Sequence, residues 1–172
     1  MTDYLKYIVR FILLILLQIF ILSKIDLFGF MNPFLYIIFI VTLPFKIKHT
    51  PLIIISFLMG YCIDLLSGNI MGIHSASAIL VGFLRPAIIN IVSSSESDYD
   101  TKHAPDYKNI GAKWFFTYAG LLVFIFNLSY YFLEHFTFSG FFKTLSFAIA
   151  NTIFTLFVFF VYQFLGGNKR QR

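Results

Sequence analysis

Charge is scarce in this chain, and that scarcity alone removes most protein classes from consideration. Only 12% of the 172 residues are charged and 59% are hydrophobic, against roughly 25% and 45–50% in soluble globular domains. Such a composition suits lipid as solvent. Cysteine is nearly absent. Cys62 stands alone inside an apolar run, so no intrachain disulfide is available and the residue reads as a small hydrophobe.

Signatures of chemistry are missing as well. The sequence holds no phosphate-binding glycine loop, no GxSxG elbow, no paired catalytic carboxylates and no Cys-His arrangement. His49, His74, His103 and His135 fall in four separate loops or span ends without metal-ligand spacing. The reading is therefore non-enzymatic, with no cofactor and no metal. A continuous basic stripe is also lacking: the 13 Lys and Arg sit in short clusters between apolar runs, which argues against nucleic acid as a partner.

What is abundant is apolar and aromatic, including 24 Phe and 10 Tyr. A helix needs about 20 mostly apolar residues to cross about 30 Å of hydrocarbon. Six runs are read as spans of one all-α transmembrane domain over residues 1–172: about 7–27, 33–45, 51–66, 70–92, 114–133 and 142–165. The first follows Lys6 and Arg10 but carries no small-residue cleavage site, so it is read as an uncleaved span. The second is short, reaching only about 20 Å as a helix. Asn32 as cap with Pro33 at the first helical position, and Thr50 with Pro51, are expected to open the second and third spans.

Loop charges test this count. With six spans, Lys6, Arg10, Lys46, Lys48, Lys102, Lys108, Lys113, Lys169, Arg170 and Arg172 share one side and only Lys24 and Lys143 the other, ten against two. The positive-inside rule then puts both termini in the cytoplasm. Omitting the short span would move Lys46 and Lys48 outside. Trp114 and Tyr4 are expected at the inner interface and Tyr130 and Tyr131 at the outer one. Residues 93–112, with Glu96, Asp98, Asp100 and Asp106 among serines, read as a mobile cytoplasmic loop.

Four groups of residues stand out as structural or partner-contact candidates. Gly60, Asp64, Gly68 and Gly72 recur every fourth position across the tight turn between the third and fourth spans, a small-residue face that lets backbones approach. Asp64 is an acid within an apolar run and so a functional candidate. It either locks the turn, taken up by free amides around Asn69 to Met71, or meets a ligand or partner. Arg85 and Pro86 interrupt the fourth span near the inner headgroups, where Arg85 is expected to snorkel and Pro86 to kink or end the helix. Asp64 in the third span and Arg85 in the fourth sit near opposite ends of antiparallel helices, so no pair between them is expected. Asn151, Thr152 and Thr155, with Ser146, form a polar cluster suited to interhelical hydrogen bonds or to one wall of a substrate path.

The segment NPFLYIIFIVTLPF, a following span that starts at Pro51, GYCIDLLSGNIMGIHSASA and the FLRP of Phe83 to Pro86 together resemble the central part of the MreD family of bacterial rod shape-determining membrane proteins. The likeness extends more loosely to Gly111, Trp114, Tyr118, Asn151, Thr152 and Thr155. It implies a six-helix fold similar to the substrate-binding subunits of vitamin transporters. It also implies a scaffold subunit of the cell-elongation machinery in the bacterial cytoplasmic membrane, working with the periplasmic protein MreC, the actin-like MreB and the wall synthases. Tyr61 and the Ser67 to Asn69 turn depart from the family's pattern. The alternative expectation is a subunit that binds or transports a small, vitamin-like molecule, with Asp64, His74, Ser75 and Ser77 near its outer pocket.

Overall fold

The computed structural model describes residues 2–25, 32–68, 70–93, 105, 111–135 and 140–166. All regular structure among them is helical. Helix α1 (Thr2–Phe20) ends in a 3-10 turn (Leu22–Lys24). It is followed by a short α2 (Ile37–Val41), then α3 (His49–Ser67), α4 (Ile73–Ser93), α5 (Ala112–His135) and α6 (Phe141–Gly166). Five helices are long and apolar enough to cross a membrane, as a multi-pass membrane protein requires. Their bounds lie within a few residues of those read from sequence, except at both ends of α1; the second run differs altogether.

The 33–45 run does not form the helix expected of it. Residues 32–36 are not helical, Asn32 caps nothing, and only Ile37–Val41 closes helical turns. At its far end the reason is local, since Pro44 pushes Leu43 away from helical backbone. The burial is extreme, since every residue from Phe34 to Val41 is at most 4% exposed. An element apolar all round belongs inside protein, not against solvent.

Around this core the long helices are arranged as neighbours in sequence. Helices α3 and α4 form the tightest pair, α4 packs on α5, α5 on α6, and α1 leans on α3. Gly60 allows the α3–α4 approach at one height: a Cβ there would lie 2.6 Å from the His74 carbonyl oxygen and from Ser75 Cα. Gly82, which sequence did not single out, does the same against the Ser56 side chain. Of the expected small-residue face, Gly60 and Asp64 are thus spent inside the bundle, whereas Gly68 and Gly72 are exposed in the turn. Gly68 at φ 70° ends α3 in a left-handed cap, and Gly72 at φ 98° leads into α4.

Helix α3 starts at His49, two residues before Pro51, with Lys48 in the cap position. Pro51 falls in the first turn, where its missing N–H costs nothing. Helix α4 continues through Pro86 to Ser93, so the proline does not end it. Trp114, Tyr130 and Tyr131 are 4–6% exposed and pack inward instead of forming interfacial belts; Trp114 stacks on Tyr118 and meets Phe45 edge-on. Loop 93–112 lies almost wholly outside the described residues, as do Lys102, Lys108, the 167–172 tail and the side chain of Tyr4.

Candidate functional site

The sequence places a stretch of irregular backbone in the middle of an apolar bundle. In lipid this is tolerated only where protein satisfies each polar backbone group, and here six such groups between Pro33 and Pro44 are met by side chains. From α1, Gln18 donates to the Pro33 carbonyl at 3.1 Å and accepts from the Leu35 amide at 2.9 Å. Thr155 of α6 accepts from the Phe34 amide at 3.3 Å. Below α2, Tyr118 of α5 donates to the Val41 carbonyl at 2.9 Å. Arg85 of α4 donates through Nη2 to the Leu43 carbonyl and, at 3.5 Å, through Nη1 towards that of Pro44.

Arg85 is 1% exposed, which corrects the snorkelling expectation. Its Nε donates to Tyr118 Oη at 2.7 Å, so guanidinium and phenol act together on the carbonyl of Val41 at the end of α2 and that of Leu43 just beyond it. A helix end always leaves such carbonyls. A planar fork with five donors can reach several acceptors at once, which a point-charge ammonium cannot. Its partners are 33 to 42 residues away in sequence, which is why reading along α4 did not find them.

At the other end of α4, Asp64 is 2% exposed. It accepts the amide of His74 at 3.1 Å, the amide of Ser75 at 2.9 Å and the Ser75 hydroxyl. The expected contact with helix-opening amides therefore holds, shifted because α4 begins at Ile73 and not near Asn69. A carboxylate at a helix N-terminus is favoured by the orphan N–H groups and the dipole together. His74 points inward, its Nδ1 2.9 Å from Tyr36 Oη. Its ring lies 5.4 Å from Phe34 and 4.8 Å from Tyr130. Asp64 and Arg85 are indeed apart: from Ser75 to Arg85 α4 rises about 15 Å.

The α5–α6 contact carries a third polar group. Asn151 donates to Asn127 Oδ1 at 2.7 Å, and Asn127 donates to Thr152 at 3.2 Å and to the Val123 carbonyl at 3.0 Å. Thr155 faces the broken segment instead, and Ser146 only bonds its own helix at Phe142. Asn127, Gln18, Tyr36 and Tyr118 were not picked out as site residues. Gln18 and Asn127 are lone amides in apolar runs, the one signal that marks them.

Beside His74 opens a cavity of about 230 Å³ lined by Gly68, Ile70, Ile73, His74, Tyr130 and Glu134. Tyr130 donates to Glu134 at 3.4 Å. Ser77 Oγ and Asn151 Oδ1 are buried without a partner among the described residues. In the same residues no group of three His, Cys, Asp or Glu is placed to hold a metal ion. The class defined by fold and site is thus a helical, multi-pass type with a broken, side-chain-clamped segment at its centre. Set against family models, curated proteins and solved structures, the chain matches none.

Proposed function

We propose that this chain is a non-enzymatic scaffold subunit of a bacterial cell-elongation complex, regulating cell shape and lateral peptidoglycan synthesis through contacts with an MreC-like periplasmic partner, an MreB-like cytoskeletal protein and wall synthases. The observation that carries the reading is the use made of Asp64 and Arg85, charged side chains buried within the spans. Asp64 holds the α3–α4 turn and Arg85 holds the broken segment; both are spent on architecture and neither lines the cavity beside His74. The Asn32 to Pro86 segment that resembles the MreD family supplies that architecture, which adds weight.

In this proposal the chain crosses the bacterial cytoplasmic membrane six times, with both termini inside. Contacts along the broken segment support the count: Tyr36 meets His74 near the start of α4, and Leu43 meets Arg85 more than three turns later. Charge supports the orientation. Arg10 meets Tyr162, Phe45 meets Trp114 and His49 meets Phe83, which gathers Lys6, Arg10, Lys46, Lys48 and Lys113 at one end and leaves Lys24 and Lys143 at the other. At that second end Ile70, Met71 and Phe142 are 62–82% exposed, an apolar surface suited to a partner. Co-expression with an MreC-like protein tests the reading: the pair is expected to co-purify in nanodiscs. Failure to co-purify, with unchanged cell shape on depletion, overturns it.

The cavity beside His74 favours a second reading, a subunit that binds or transports a small vitamin-like molecule. A compound carried through purification, or a thermal shift with one member of a vitamin panel that His74→Ala abolishes, would select it over the scaffold.

A further inference from the structure

Helix α1 has no extended contact with α6; the described link between them is the Arg10 guanidinium over the Tyr162 ring at 5.9 Å. The gap is a groove of about 540 Å³ lined by Leu5, Lys6, Val9, Arg10, Leu13 and Tyr162. We propose that this groove binds one anionic phospholipid, its phosphate held by Lys6 and Arg10 and an acyl chain lying along Leu5, Val9 and Leu13.

Geometry and charge both select this occupant. Lys6 and Arg10 are one turn apart on one face of α1, and among the described residues the lining contains two cations and no acid. Among the described residues Arg10 Nε is buried without a partner, a donor that a phosphate oxygen would satisfy. Leu5, Val9 and Leu13 are 49–62% exposed and continue for about 12 Å along the helix beside Lys6 and Arg10, so a basic edge and an apolar edge run side by side along the groove. A protein partner needs no such division, whereas a headgroup with its tail has it built in. The 167–172 tail, with Lys169, Arg170 and Arg172, carries the wrong sign to cover the basic edge.

The test uses the full chain in nanodiscs of phosphatidylcholine and phosphatidylglycerol at a 3:1 ratio, released into native mass spectrometry to count retained lipids. Wild type is expected to keep one phosphatidylglycerol above its bulk share. Lys6→Gln with Arg10→Gln is expected to weaken that retention on the order of 30-fold, from about 1 kcal/mol per basic residue. Lys24→Gln with Lys143→Gln, at the other end, is expected to leave it unchanged. Val9→Trp keeps both cations and fills the apolar floor, so it should also lose the lipid, with its fold checked by circular dichroism. Retention of the two lipids in bulk proportion, or equal phosphatidylglycerol on wild type and on either groove variant, overturns the proposal. So does a Val9→Cys crosslink that captures a second copy of the chain instead of lipid.

Discussion

Arg85 Nε lies 2.7 Å from the phenol oxygen of Tyr118, and that phenol in turn donates to the Val41 carbonyl at 2.9 Å. The two side chains form one unit that binds three helices, α4, α5 and the broken α2. Tyr118→Phe removes a hydroxyl that both accepts and donates, leaving a buried guanidinium nitrogen and a buried carbonyl unpaired. The expected loss is about 2–4 kcal/mol, from about 1–3 for each unsatisfied group with partial relaxation. Reversible unfolding in mixed micelles reads it. Arg85→Lys is expected to lose at least as much, because an ammonium cannot reach Tyr118 and Leu43 together. A Tyr118→Phe, Arg85→Lys double mutant should therefore be less than additive, and strict additivity would show that the two do not act as one unit.

Asp64 allows an isosteric test. Asn at this position presents an amide nitrogen where the carboxylate now accepts from Ser75, so a donor meets a donor. Asp64→Asn is expected to cost about 1.5–3 kcal/mol, the range for a hydrogen bond to a charged group. Asp64→Ala should cost more, since the His74 and Ser75 amides then both lack a partner. If the Asn variant matches wild type in stability and in partner co-purification, Asp64 neither locks the turn nor serves a contact.

The glycines at 60 and 82 separate by what obstructs them. A Cβ at Gly60 clashes with backbone of His74 and Ser75, whereas one at Gly82 clashes with the Ser56 side chain and meets the Leu52 carbonyl oxygen only at an ordinary 3.5 Å. Gly60→Ala must push α3 and α4 apart and is expected to cost about 1–3 kcal/mol, the usual range for overpacking. Gly82→Ala should be destabilising in the native background but largely rescued by Ser56→Gly. No side-chain change should rescue Gly60→Ala. Rescue failing at 82 would mean that the helices cannot close around the added methyl.

Much of the fold was legible because long apolar helices announce themselves by length. Four of them sit within a few residues of the bounds read from sequence, and the first starts and ends earlier than read. Asp64 was legible too, since a lone acid beside a helix start has few partners to choose from. The broken segment was not. A run buried on all sides shows no periodicity to separate helix from extended chain, so Pro33–Phe45 read as a short span. Arg85 was misread as an anchor for a related reason: its acceptors, the carbonyls of Leu43 and Pro44, are backbone atoms and leave no trace in residue identity. Gln18 and Tyr118 suffer likewise, their partners lying 15 to 77 residues away.

Gln18 is the sharpest remaining lever on that segment, because one side chain serves a carbonyl and an amide at once. Glutamate at this position keeps the acceptor for Leu35 but loses the donor for Pro33, and it adds a buried charge. Glutamate is therefore expected to be worse than leucine, although leucine removes both bonds. The argument rests on desolvation: an unpaired amide or carbonyl costs about 1–3 kcal/mol, an unpaired buried ion several more. Amide exchange measured by mass spectrometry should show the 33–44 stretch losing protection first in Gln18→Leu, while α5 and α6, tied by Asn127 and Asn151, keep theirs. If protection falls equally in all helices, the broken segment is not a separately held element and the whole bundle opens as one.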